Sequence, residues 1–385
     1  MPFISLNVAD FTNSATKAAS TASSYRGKNA ALSRVRLLLI KNDSRVVGFF
    51  SASNGAQTVT QRFIPSEHDM SEGTSEVLLD GAKLRSIVSS YKTLAGETKV
   101  KLSWESEFGA SKGLISASRS RLKIDTDDPA TYPSPLKMAD SAVEFFLPVE
   151  HLQTAVKSAR HAVGQNHAIT ALNGICMTVK DGSLTITSAD GHRVYNSRID
   201  VNSSASISAI LPSAIIDLVL SLPVASLGEE ARLRVDDCAV EFTVGATLIR
   251  SALVDGKYPD IKPFLSSPTN WLTTLEKSDL VAALNRLQAS VNTRLPAVLL
   301  SVDIENCSLN LQTMDSGKVV GEDSIPIDNP NPCEQTLSFN IHYLLDAFAS
   351  SLTSKTRIGV DKEKGFLVLE SDNKQSHSIV MPMRV

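Results

Sequence analysis

The residues best suited by type and spacing to do chemistry lie in the run Ala189-Asp190-Gly191-His192-Arg193-Val194. An imidazole close to a carboxylate is the raw material of a general base. Such a base needs a nucleophile or a metal, and no local motif supplies one. The chain contains no Gly-x-Ser-x-Gly, His-Glu-x-x-His, Walker or Gly-x-Gly-x-x-Gly run. Asp190-Gly191 is also a turn pair, because glycine takes a positive φ at little cost. The segment therefore reads as a turn or a binding surface, with a hydrolase using His192 and a distant Ser and Asp as the competing reading. Cys176, Cys238, Cys307 and Cys333 stand at none of the short spacings of zinc or redox motifs. They read as free thiols of a reducing cytoplasm, and no metal or cofactor is implied. Near the end, Met381-Pro382-Met383-Arg384 sets two flexible thioethers around a proline. That suits a surface accepting several peptides, or a terminal strand with buried Met.

The elements that must position these residues recur along the chain. Three amphipathic segments open alike, at 6–20, 147–163 and 275–291; a second set spans 79–94, 211–222 and 339–352. Both series repeat at about 130 residues, a common domain size. Leu152, Val156 and Ala159, and later Leu280, Ala283, Leu284 and Leu287, fall at helical spacing. Between them run alternating β-type stretches such as Ser183-Leu184-Thr185-Ile186-Thr187 and Ala239-Val240-Glu241-Phe242-Thr243-Val244, several led by turn pairs. Two helices and several short strands per repeat predict an α+β class. Joints rich in Pro and Ser, at 129–141 and 263–269, predict three domains: 1–140, 141–266 and 267–385.

Composition narrows the function. A 42% hydrophobic chain with 21% charged residues describes a globular protein with an ample aliphatic core. The start, Met1-Pro2-Phe3-Ile4-Ser5, has no basic stretch before an apolar run, so no signal peptide is expected. The longest apolar stretch, 214–224, is broken by Asp217 and Pro223 and is too short for a bilayer. A net charge of −3 excludes gripping DNA by bulk charge. Either nucleic acid is no partner, or it is held topologically with only one surface basic.

Several motifs, in order and in matching repeats, then become specific. They are Leu172-Asn173-Gly174, Asp190-Gly191-His192-Arg193, Leu253-Val254-Asp255-Gly256-Lys257-Tyr258-Pro259-Asp260, Phe339-Asn340 with Tyr343-Leu344-Leu345-Asp346, and the terminal Met381-Pro382-Met383-Arg384. Ser118-Arg119-Ser120-Arg121-Leu122 and Tyr132-Pro133 add a match in the first repeat. Together they resemble the beta subunit of bacterial DNA polymerase III, over nearly the whole chain and least before Gly113.

The resemblance implies a DNA-clamp fold: head-to-tail dimeric rings of three-domain chains, helices lining a central hole and antiparallel sheets outside. It implies a non-catalytic, cytoplasmic processivity factor that encircles double-stranded DNA. Its implied partners are the DNA polymerase III alpha subunit, the clamp-loader delta subunit, other proteins with a clamp-binding motif, and a second copy of itself, with no membrane. The implied partner-peptide pocket comprises Leu172, Ala189, Gly191, His192, Arg193, Val194, Pro259, Pro263, Phe264, Asn340, Tyr343, Phe366, Val380, Met381, Pro382, Met383 and Arg384. The dimer contact would set Leu122 and Ile124 against Ala289 and Ser290, with Arg119 and Arg121 pairing with Asp315, Glu322 or Asp323 across it. DNA would face Arg26, Lys28, Lys83, Lys92, Lys157, Arg160, Asn166, Arg286 and Arg294.

Three features depart from the family pattern. Pro263-Phe264 replaces a basic-aliphatic pair, and Phe366 replaces a small serine, so a more aromatic pocket wall is expected. Ala289-Ser290 replaces large aliphatics, which predicts a weaker dimer at about 0.8 kcal/mol per lost CH₂. A monomeric, peptide-binding clamp relative is the alternative this raises. The helical segments carry only a slight basic excess, Lys17, Lys83, Arg85, Lys92, Lys157, Arg160, Lys277 and Arg286 against Asp10, Asp80, Glu150, Asp217, Glu276, Asp279 and Asp346.

Overall fold

The computed structural model describes residues 2–384 apart from 44, 97, 106–111, 225–227, 266, 267, 292, 293, 316, 334, 335, 362 and 372. Ser266 and Ser267 of the second expected joint lie outside the described residues. Among the described residues six α-helices fall in the repeated segments: α1 (Val8–Ser24), α2 (Gly81–Tyr91), α3 (Val149–Ala159), α4 (Ile216–Leu220), α5 (Lys277–Gln288) and α6 (Ile341–Ala349). Five of them start on the residue after a strand ends, at Asn7, Asp80, Pro148, Glu276 and Asn340. Three of these switches are capped by a side chain. Asn7 accepts from the Asp10 N–H at 2.7 Å, Asp80 from Lys83 at 2.7 Å, and Asn340 from His342 at 2.9 Å. The segment 211–222 is less helical than expected. It opens as a 3₁₀ turn at Ser213–Ile215 without a side-chain cap and yields only the five residues of α4, with Pro223 close behind.

The chain forms two compact units. One comprises Met1–Glu144 with Ser221–Ala252. Its strands pair antiparallel in the order Glu230–Val235, Ala239–Val244, Thr247–Ala252, Gln57–Phe63, Arg45–Ser53, Arg34–Asn42, Gly73–Asp80, Ser120–Asp127, Lys112–Ala117, Lys99–Ser103, Phe3–Asn7 and Glu67–Asp69. A late strand thus extends an early sheet, with Leu248 opposite Thr60 and Arg250 opposite Thr58. α1 and α2 pack on each other and on this sheet around Phe11, Leu37, Phe50 and Leu84, all fully buried. Their close approach follows from small residues: Ala15, Ala18, Ala19 and Ala22 are buried on α1, and a Cβ at Gly81 would sit 2.6 Å from that of Ala22.

Ile124, expected at a subunit contact, lies inside this core at 1% exposure. Strand alternation turns it toward the helices, so its side chain is not available at a surface. Arg119 and Arg121 are exposed and Leu122 is half-buried. In the same unit Glu241 is 2% exposed within a strand, held by Arg250 and within 3.4 Å of Arg232 and 3.9 Å of Arg234.

The other unit comprises Phe145–Leu220 with Leu253–Val385. Its eight-stranded antiparallel sheet runs Ile207–Pro212, Gly174–Lys180, Ser183–Ala189, Arg193–Asp200, Ser376–Val380, Leu367–Ser371, Lys355–Val360 and Asn270–Glu276. The central pairing, Arg193 with Val380 and Val194 with Ile379, sews the last strand of the chain to the strand that follows the Asp190 turn. A four-stranded sheet, Lys318–Pro326, Ser308–Asp315, Ala297–Asp303 and Leu337–Asn340, backs α5 and α6 around Leu284, Phe339 and Phe348.

Candidate partner-peptide site

The Asp190 turn is built by its own carboxylate. Oδ1 accepts the backbone N–H groups of His192 at 2.9 Å and Arg193 at 2.8 Å, while Gly191 takes φ +84°. Oδ2 accepts from Arg193 Nε at 3.0 Å. The acid is thus occupied by the turn and by an arginine, which removes it as the orienting partner of a His192 base.

Arg193 is the hub. Its side chain is 11% exposed, pairs with Asp190, and donates through Nη1 to Asp346 at 2.7 Å. Its guanidinium lies 4.3 Å over the Tyr343 ring, and His192 stacks against the same ring at 5.8 Å. Asn340 caps α6 and so fixes where Tyr343 and Asp346 project.

Beside the hub lies an apolar cluster. Leu172, Ala189, Val194, Phe366, Val368 and Ile379 are buried in it, with Tyr258, Ile261, Phe264, Leu265, Trp271 and Met381 half-buried around them. Phe366 meets Phe264 edge to face at 6.1 Å, and the Lys364 ammonium stands 5.8 Å from one ring and 5.9 Å from the other. The terminal residues are tied down: the Met381 N–H donates to His192 O at 2.9 Å and the Met383 N–H to Ser338 O at 2.7 Å.

Most residues expected in a pocket are brought together here. Phe366, at 1% exposure, fills the cluster rather than walling it. Val380 does not belong at a surface: it is fully buried in the neighbouring core, and its backbone pairs with Arg193. Pro263, Pro382 and Arg384 are exposed. Sequence reasoning missed Ile261, Leu265 and Trp271, whose only signal was their apolar spacing around Phe264. It also missed the pairing of Asp346 with Arg193.

An open groove of ≈ 940 Å³ flanks the hub, lined by Lys157, Arg160, His161, Asp190, Arg193 and Asp346 among others. Of the residues expected to face DNA, Arg26, Lys28, Lys83, Lys92, Lys157, Asn166 and Arg294 are exposed. Arg160 and Arg286 are exposed too, but bound to Asp217 at 2.8 Å and Asp323 at 2.7 Å, which lowers their net charge toward a phosphate. Lys17 is half-buried, and desolvation lowers its pKa.

His161 lies at the groove with Nδ1 2.7 Å from Ser158 O, its ring edge-on to Tyr195 at 5.7 Å, and Nε2 enclosed without a partner. Burial pushes its pKa down from 6.5 to about 4, against the raising effect of the Ser158 carbonyl. Folding therefore favours the neutral ring. The associated stability is complete above the unfolded pKa near 6.5 and is lost as pH falls through about 4. We predict that urea unfolding shows this loss, on the order of 3 kcal/mol, and that His161→Phe removes most of it. An unchanged pH profile in the variant would refute the assignment.

Comparison with known proteins agrees with this architecture. Residues 146–260 match the family model of the DNA polymerase III beta subunit, central domain, and residues 267–384 that of its C-terminal domain. The beta sliding clamp of Pseudomonas aeruginosa is 26% identical over 277 residues, 71% of this chain and 74% of that protein. That of Haemophilus influenzae is 25% identical over 297 residues, 76% of this chain and 78% of its own. A crystal structure of a P. aeruginosa sliding clamp bound to griselimycin superposes over 100% of both chains with a TM-score of 0.88 at 21% identity. One from Bacillus subtilis reaches 0.86 at 18% identity, over 100% of this chain and 99% of that one. The fold is that of the DNA clamps, and the chain belongs to the DNA polymerase III beta subunit family.

Proposed function

We propose that this chain is a DNA sliding clamp: two copies close head to tail around duplex DNA and, with no catalysis of their own, tether the enzymes that work on it. The observation that carries this reading is the end-to-end likeness in fold to sliding clamps, joined to two matched family domains. The three segments 1–140, 141–266 and 267–385 are the ring domains in this reading. Cytoplasmic residence accords with it, and among the described residues no helix is long and apolar enough to cross a membrane.

Two sheet edges support ring closure. Strand Ser120–Asp127 meets Gly73–Asp80 only at Leu78–Asp127 and Leu79–Thr126, so most of that edge is unpaired within the sheet. Strand Lys318–Pro326 ends its own sheet and exposes Val319 and Val320. Unpaired edges invite pairing, and joining one to the other satisfies both. An open groove lined by Lys83, Ile87, Arg121 and Leu122 adjoins the first edge. Arg119 and Arg121 would meet Asp315 and Glu322; Asp323 is already held by Arg286. Ser290 turns its hydroxyl onto Thr313 at 2.8 Å and Ala289 is small, so this side offers little apolar area and the dimer is weaker than large aliphatics would make it.

The exposed basic residues attract phosphates without reading bases, which sliding requires. The cluster around Leu172, Val194, Phe264 and Phe366, with Arg193, Tyr343 and the terminal Met381 to Arg384, is the docking site for apolar peptides of the DNA polymerase III alpha subunit, the clamp-loader delta subunit and other clamp-binding proteins. Retention on DNA tests the whole reading. With clamp loader and ATP, the protein is expected to stay on nicked circular DNA through a high-salt wash and to leave when the circle is cut. In sedimentation it is expected as a dimer at micromolar concentration, dissociating on dilution. Equal retention on linear and circular DNA, or a monomer at micromolar concentration, overturns it.

A further inference from the structure

The peptide site just described has a counterpart in the other unit, visible in the strand register. Ala189 pairs with Val194, and Val194 with Ile379. One repeat earlier Ser53 pairs with Thr58, and Thr58 with Arg250. Cys176 pairs with Thr187 where Arg36 pairs with Ser51. Each set is covered by a connecting segment that begins Tyr-Pro, Tyr258-Pro259 in one and Tyr132-Pro133 in the other. Both tyrosine hydroxyls are enclosed without a well-formed hydrogen bond. Tyr258 lies by the Ala189 backbone, and Tyr132 by that of Ser53. The two places are one architecture, the first with polar side chains where the second is apolar.

The first place is not filled. Tyr132, Pro133, Ser134, Pro135 and Leu136 lie over the outer face of the sheet, and a cavity of ≈ 360 Å³ lies among them and the strands. Leu38, Ile40, Phe49 and Leu248 line it, each half-buried. Its two arginines are already engaged: Arg36 with Glu76 at 2.5 and 2.9 Å, and Arg250 with Glu241 and the Leu136 carbonyl. The cavity is therefore close to charge-neutral. It offers an apolar lining and the half-buried Ser51, Ser53 and Thr60 with their hydroxyls.

We propose that this cavity is a second peptide site, taking one leucine- or phenylalanine-sized side chain of a neutral partner segment, whose adjoining peptide group hydrogen-bonds the Ser51–Thr60 hydroxyl pair. Matching the lining excludes an acidic ligand, since each guanidinium already holds a carboxylate. The proposal rests on the first peptide site only for the analogy of occupant; the cavity and its lining stand by themselves. Fewer apolar contacts than at the Phe366 cluster make the second site the weaker of the two.

The test titrates the intact, methyl-labelled protein with N-acetyl-Gly-Leu-Phe-amide and follows methyl shifts. Shifts are expected at Leu38, Ile40, Leu136 and Leu248, saturating at higher peptide concentration than those at Leu172, Val194 and Ile379. Leu248→Asp is expected to weaken the first set by about tenfold or more and to leave the second set unmoved, while Leu248→Met retains both. Shifts at Leu172, Val194 and Ile379 alone overturn the second site and leave the first standing. Shifts at Leu38, Ile40, Leu136 and Leu248 alone uphold it and sink the other. No shift in the Leu38 set up to millimolar peptide refutes it, whichever way the variants fold.

Discussion

Arg193→Ala is expected to weaken binding of apolar partner peptides by at least about tenfold and to destabilise the protein by about 2–4 kcal/mol. The side chain is nearly buried and brings its positive charge to Asp190 Oδ2, on a carboxylate that is equally buried, while also reaching Asp346. Removing the guanidinium leaves a desolvated carboxylate with two backbone N–H donors and no counter-charge, and this dominates the cost. Asp346 is half exposed, so water replaces part of what it loses, which sets the lower bound. The affinity loss has a separate cause. Tyr343 is contacted by both the guanidinium and the His192 ring, and without the first it gains rotamer freedom that a bound peptide must remove. Arg193→Lys keeps the charge but loses the planar contact, so it is expected to recover stability more than affinity. Urea titration with peptide titration separates the two effects. Unchanged affinity in Arg193→Ala refutes the role assigned to the hub.

Glu241→Ala is expected to cost more stability, about 3–5 kcal/mol, with no direct effect on peptide binding at the Phe366 cluster. Glu241 is almost fully buried and is met by Arg232, Arg234 and Arg250. Its loss leaves the arginines of the two flanking strands without their shared counter-charge, with Glu144 3.8 Å from Arg232 and 3.9 Å from Arg234. The expected signature is a lowered urea midpoint, partly recovered in Glu241→Ala/Arg250→Leu, where an apolar residue takes the place of the best-paired cation. A midpoint unchanged within error rules out this view of the cluster.

The elements were legible because their signals are local. Leu280, Ala283, Leu284 and Leu287 mark α5 by spacing alone, and all four are buried. Asn7, Asp80 and Asn340 sit where strands give way to helices. The Asp190 turn is equally local. What escaped was pairwise and distant. Asp346 reads as a charge against DNA until the fold sets it beside Arg193. Arg160 and Arg286 read as free cations until Asp217 and Asp323 reach them. Ile124 reads as a contact residue from its motif, yet a one-residue phase in its strand decides that it faces inward. Glu241 sits in an alternating strand pattern that carries no sign of the three arginines on its neighbours. Departures from the family pattern, such as Phe366, say that a site differs; only packing says that the larger ring occupies the site.

The interleaving of the two units also bears on how the chain is made. Strand Gln57–Phe63 waits for Thr247–Ala252, and strand Arg193–Asp200 for Ser376–Val380. At ribosomal speed the first wait lasts roughly ten to forty seconds. Throughout it a sheet edge next to Phe49 and Phe50 is open on the nascent chain. Each unit is complete only after part of the other has been synthesised, so a ribosome that stalls between residues 63 and 247 holds a first unit whose edge a nascent neighbour on the same message can cap.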